Sequence, residues 1–464
     1  MLMQDKAQAR SRPVVAAAGE RYLLFLAASL LLAVGLGFVL AVLLPLAVAL
    51  QATWGLRWEA LAQAHGHVQV IGFAGLFIAG MAYRLVPRFS GTPLRNSWTL
   101  LPVFGLLVAA VLLRAISQPL NDNPAFAWGL PLASICELLG ALLFCLSILP
   151  TLRRPLLDGQ PWAPFMAAGA IWFLVQGALG AWFLTDLWLN GSALNALPGG
   201  RTVLPGDRDN LLLAIQFYGF LLGFIFGVDT RAVPTFFAHR PSVRLVRASW
   251  LLLQIGLLLF AGEALQTSLR HTHIVGVQIL GLFCLGAALI GAAATTGSWK
   301  PASRLRPSAR GAAGLLKAAF AWCAVAGALD IAFAIQSWAS RQPLADNEAD
   351  AVRHILAVGF VTTMIIGMGH LLVPALATQR LAGLTAKRRL LLFRILLFAA
   401  VVLRAGPPLL PELSGRLSYS LIGCAGVLAW LAVALFGYFL WRARREQAGN
   451  LEAVARIEAQ RWRA

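Results

Sequence analysis

A chain of 464 residues that is 59% hydrophobic and only 12% charged, with a mean hydropathy of +0.75, cannot have water as its main solvent; soluble domains carry about 25% charged residues. Lys and Arg outnumber Asp and Glu by 38 to 19, an excess that would suggest nucleic-acid binding, but the cations lie between apolar runs instead of forming a patch. The five cysteines (Cys136, Cys145, Cys284, Cys323 and Cys424) stand singly in apolar segments. Without a CxxC or Cys–His spacing they read as small core residues, not as zinc or iron–sulfur ligands.

Residues 1–21 form a basic tail. The apolar run from Tyr22 to Leu50 exceeds the roughly 7–15 residues of a signal-peptide core, so it reads as a retained membrane anchor. A span needs about 20 apolar residues. That window predicts twelve spans, at 22–50, 66–87, 98–118, 128–150, 163–187, 210–234, 247–268, 272–296, 311–337, 351–375, 388–409 and 416–441. The expected fold is therefore an all-α membrane protein with one polytopic domain over 22–441 and a basic tail at 442–464. Of the 38 Lys and Arg, 29 fall in the tails, the even-numbered loops and the adjoining helix ends, which by the positive-inside rule places both termini in the cytoplasm. Asp207, Asp209, Asp346, Glu348 and Asp350 gather on the other, outer side. The basic charge is topology; the expected partner is the lipid bilayer of a plasma membrane, not nucleic acid.

Span 2 reads His67-x4-Gly72-Phe73-x6-Gly80-x6-Pro87, and span 10 repeats every interval as His354-x4-Gly359-Phe360-x6-Gly367-x6-Pro374. Span 6 fits the frame through Gly219, Phe220, Gly227 and Pro234, with Ala214 in place of the histidine. Three matches in register, four helices apart, predict three pseudo-repeated four-helix units at about 22–150, 163–296 and 311–441. Twenty residues of helix rise about 30 Å, the hydrocarbon thickness, so His67 and His354 belong at one depth near the outer surface.

Two imidazoles at matched depth on facing helices suit a six-coordinate heme. The plain alternative is an interfacial polar residue near each helix start, but intramembrane ionisable groups are costly and usually functional. His65, His271 and His273 are expected at the same level. On a continuous helix His65 points about 200° from His67, so one of the two can ligate heme while the other joins the His271-x-His273 pair at a second metal, for which copper is a candidate. His370 lies 16 residues beyond His354, about 24 Å deeper along the helix, and reads as a hydrogen-bonded core residue. His239, in a basic loop, reads as solvated. Glu137 and Asp330 can orient a ligand or carry protons, and Arg353 and Arg404 suit heme propionates or snorkel to the interface.

The stretch His65-Gly-His67 through Gly72-Phe73 to Val86-Pro87-Arg88-Phe89-Ser90-Gly91 resembles the N-terminal His-x-His helix of the NnrS family. Arg353-His354 through Gly359 to Gly367-Met368-Gly369-His370 is similar to its late helix, and Asp229-Thr230-Arg231 through Pro234 to Phe236-Phe237 to its central Arg-x-x-Pro-Phe-Phe element. The resemblance runs over about residues 20–440. It implies a twelve-helix protein of the bacterial inner membrane with heme of b type and copper, engaged with nitric oxide. The threefold arrangement also looks like the catalytic subunit of heme-copper oxidases, which would make His67 and His354 the heme pair; the departures are Ala214 in span 6 and no His-His pair in span 7. Three readings stand at this point: a heme oxidoreductase or sensor of nitric oxide or oxygen, an electron-transfer module served by quinol or a cytochrome, and a non-redox transporter.

Overall fold

The computed structural model describes residues 21–461 apart from 53, 192–196, 198, 306–309, 377–386, 411 and 414, with side chains also left out at 374–387 and from 446 on. Lys6, Arg10 and Arg12 lie outside the described residues, as do the side chain of Pro374 and most side chains of the basic C-terminal tail. Twelve helices are long and apolar enough to span a membrane, and no strand occurs among the described residues. They are α1 (Tyr22–Ala49), α2 (Leu56–Ser90), α3 (Ser97–Ser117), α4 (Pro124–Leu157), α5 (Ala163–Asn190), α6 (Gly200–Phe236), α7 (Val243–Arg270), α8 (Val275–Thr295), α9 (Arg310–Ser340), α10 (Asp346–Val373), α11 (Arg388–Leu409) and α12 (Arg416–Arg445).

Burial sorts them into two classes. The most apolar windows of α2, α6 and α10 are 89%, 89% and 78% buried, against 33–50% for the other nine. A helix that is apolar all round and shielded from lipid sits at the centre of a bundle. The nine remaining helices surround these three: α1 packs on α12, α12 on α11, α11 on α9, α9 on α8, α8 on α7, α5 on α4, α4 on α3, and α3 on α1. Trp172 Nε1 on α5 donates to Gln254 Oε1 on α7 at 2.9 Å, which joins the remaining pair of neighbours.

The shared glycines explain how the inner helices seat. A Cβ at Gly80 of α2 would meet Phe25 of α1 at 2.7 Å, one at Gly227 of α6 would meet Met166 of α5 at 2.5 Å, and one at Gly367 of α10 would meet Leu316 of α9 at 3.1 Å. Gly219 and Gly359, eight residues earlier, lie at the same close approach under Trp172 of α5 and Trp322 of α9. Each inner helix thus presses its second frame glycine against the helix before it, while Gly72 of α2 comes nearest Val111 of α3, at 3.0 Å from an added Cβ, as expected where small residues let backbones approach in lipid.

The three inner helices share a second feature. Each turns from α to π geometry at the residue after the frame's first position, over Val68–Gly75, Ile215–Leu221 and Ile355–Thr362. A π turn leaves carbonyls without their usual i+4 donor and often marks a functional site. In α10, Thr362 and Thr363 hydroxyls supply donors to the carbonyls of Ala357 and Val358. A further π segment lies in α1 at Ala33–Gly37.

Candidate cofactor site

At the end of the bundle where α2, α6 and α10 begin, a cavity of about 660 Å³ opens between α1, α2, α6, α10, α11 and α12. That volume is in the usual range of about 300–1,000 Å³ for cofactor and ligand sites. Its walls are largely apolar, with Phe38, Phe73 and Phe217 among them, and two imidazoles line it: His65 and His354.

Each imidazole is held through Nδ1. His65 Nδ1 donates to the carbonyl of Gly37 at 2.9 Å, at the end of the π segment of α1. His354 Nδ1 contacts the carbonyl of Asp350 at 2.8 Å and its carboxylate at 3.1 Å. Committing Nδ1–H to an oxygen leaves the lone pair on Nε2, the arrangement by which a second shell prepares a histidine for a metal. A Cβ on Gly37 would meet the end of the Gln69 side chain at 2.9 Å, so that amide would have to shift. On the α10 side Arg404 grips Asp350 with two hydrogen bonds, at 2.8 and 3.2 Å, so α11 fixes the acceptor that fixes His354. Arg353, also on the cavity wall, donates to Asn210 Oδ1 at 2.9 Å.

His67, which the repeat singles out with His354, does not line this cavity. Helix α2 starts at Leu56, about ten residues before the predicted boundary, so the backbone is helical through both histidines and turns them to different sides. His67 is 2% exposed and points toward α3 and α4. Its Nδ1 lies 3.2 Å from Arg114 Nη1, and its Nε2, without a hydrogen bond, lies 3.7 Å from Glu137 Oε2. From there buried polar groups continue through Gln176, bonded to Glu137 at 2.9 Å, to Gln216, bonded to Gln176 at 2.9 Å. Arg114 also donates to Gln118 and lies 3.9 Å from Asp209, which reaches the cavity wall. Arg114, Glu137 and Asp209 thus surround His67 with an internal network of charges.

The three-histidine metal site expected from His65, His271 and His273 is not assembled. His271 is exposed in a left-handed turn that ends α7. His273 bonds Glu263 at 3.0 Å and lines a separate cavity of about 420 Å³ between α6 and α10, where Tyr218 donates to Asp330 at 3.1 Å. Among the described residues no group of three or more His, Cys, Asp or Glu side chains is gathered as a metal ion requires. His370 is buried between the rings of Phe393 and Phe436, with Nδ1 bonded to the Ile366 carbonyl at 2.7 Å. His239 is half-buried against Trp299 instead of fully solvated.

Asp350 and Arg114 went unassigned in the sequence. Asp350 had a signal, four residues before His354 on one helix face; Arg114 had another, as a cation inside an apolar span. Residues 11–156 match the family model described as NnrS protein, which bears out the family resemblance over that stretch. No curated protein matches the chain.

Proposed function

We propose, on the match of residues 11–156 to the NnrS family model, that this is a membrane heme protein of the nitric oxide response, which would hold heme between His65 and His354 in the cavity bounded by α1, α2, α6, α10, α11 and α12. One observation carries the reading: two imidazoles from different helices line one cavity of about 660 Å³, each with Nδ1 bonded to oxygen. Bound heme would supply an iron able to exchange an electron and take up a diatomic ligand. The apolar walls would exclude water from the porphyrin faces. Arg353 and Arg404, on the polar side of the cavity, would pair with its propionates, in competition with Asn210 and Asp350.

The two histidines are anchored unequally. His354 is tied to both the backbone and the side chain of Asp350, itself clamped by Arg404, whereas His65 has a single carbonyl, that of Gly37. His65 is therefore the imidazole freer to leave its place, and the side on which a small ligand such as nitric oxide would gain access.

The test is the visible spectrum of purified protein, with His65→Ala, His354→Ala and His67→Ala compared. Wild type and His67→Ala are expected to carry heme, and the other two to lose most of it. Nitric oxide added to the reduced wild type should shift the Soret band. Full heme content in both His65→Ala and His354→Ala would remove the assignment, and a wild type without any Soret band would favour a non-redox transporter.

A further inference from the structure

At the opposite end of α6 a carboxylate is buried without compensation. Asp229 is 2% exposed, and neither of its oxygens has a hydrogen-bond partner. It borders a small void with Phe165 of α5, Thr230 of α6, Ser249 of α7 and Thr295 of α8; no Lys, Arg or His lines it. An unpaired buried carboxylate costs several kcal/mol, and proteins meet that cost with a hydrogen bond, a counter-charge or a metal.

Two of the hydroxyls around the void, those of Ser249 and Thr295, already donate to the backbone. Ser249 Oγ donates to the carbonyl of Leu245 at 2.9 Å, and Thr295 Oγ1 to that of Ala292 at 2.7 Å. With their protons spent on the backbone, both oxygens offer only lone pairs toward Asp229. No water-sized sphere fits in the void, so an ion smaller than water suits it. The packing keeps Ser249 in this place: a Cβ on Gly291 of α8 would come 2.4 Å from Ser249 Oγ.

We propose that Asp229, Ser249 and Thr295 form a site for a sodium-sized monovalent cation, which ties α6 to α7 and α8 at the end of the bundle remote from the histidine cavity. The site does not depend on the heme reading.

Melting of the purified full chain in detergent tests it, in sodium, potassium and choline chloride at one ionic strength. Sodium should raise Tm above the other two salts, and the rise should grow with the logarithm of its concentration, as for any ligand that binds the folded state alone. Asp229→Asn should abolish the sodium-specific rise and melt in choline chloride no lower than wild type, because it removes the uncompensated charge. Ser249→Ala should move half-saturation to higher sodium. Equal melting of the wild type in all three salts, as an Asp229 that carries its own proton would give, overturns the proposal. So does a sodium-specific rise that survives in Asp229→Asn. If the variants fail to fold, ²³Na line broadening by wild type, displaced by lithium and not by choline, decides the matter, and its absence counts against the site.

Discussion

His65 and His67 are separated by one residue and do unlike work, since a helix turns about 200° between them. One faces the cavity shared with His354; the other belongs to a buried cluster with Arg114 and Glu137. The cluster leads to a stability prediction. Arg114→Met strips Asp209 and His67 of their shared guanidinium and should cost about 3–5 kcal/mol, the usual penalty for stripping one partner from a buried charge pair; a fall in the melting temperature of detergent-purified protein would register it. Asp350→Asn keeps the shape of the His354 support but weakens both its hydrogen bond and its clamp by Arg404. Heme affinity of the apo protein should drop about 10–100-fold, as on loss of a second-shell acceptor, and titration with hemin measures it. Unchanged affinity would mean that Asp350 serves only Arg404.

Among the helices, what sequence patterning conveyed and what it hid have separate physical causes. All twelve spans were legible because lipid demands a continuous apolar run, a signal written locally in each segment. The start of α2 was not: Leu56–His67 carries Arg57, Glu59 and Gln63 and fails a hydropathy test. Protein covers this stretch in place of lipid, with Gln63 donating to Leu204 O and accepting from Leu204 N. The frame shared with α10 singled out His67, and spacing alone did not say which of His65 and His67 faces the cavity. The glycine–proline frame was legible as spacing, whereas the π geometry that follows its first position in α2, α6 and α10 was not. That geometry sets the angle between the histidine end and the rest of each helix. Deleting Val358 from α10 should turn its N-terminal part by about 100° against the remainder. The expected result is a chain that still inserts, as a C-terminal fluorescent reporter would show, but lacks a Soret band. Gly80→Leu should destabilise by about 1–3 kcal/mol through overpacking against Phe25 and Leu26, read as a lower melting temperature.

At the scale of the molecule, three shielded helices stand inside nine, and pairings such as Gln63 with Leu204 or Tyr218 with Asp330 join spans far apart in the chain. No single-sequence pattern encodes such pairs. The charge asymmetry does speak to orientation: reporter fusions should place both termini and the loop after α2 in the cytoplasm, and the loops after α1 and α9 outside; alkaline phosphatase activity at either terminus would reverse the assignment. The packing of α1 on α12 has a further consequence. The histidine cavity takes its walls from the first two, the sixth and the last three helices, so while the ribosome is still making the chain, His65 waits in a half-built groove open to lipid. Cofactor capture must then follow the insertion of the final helix, and a nascent protein stopped after α10 should reach the bilayer yet remain colourless.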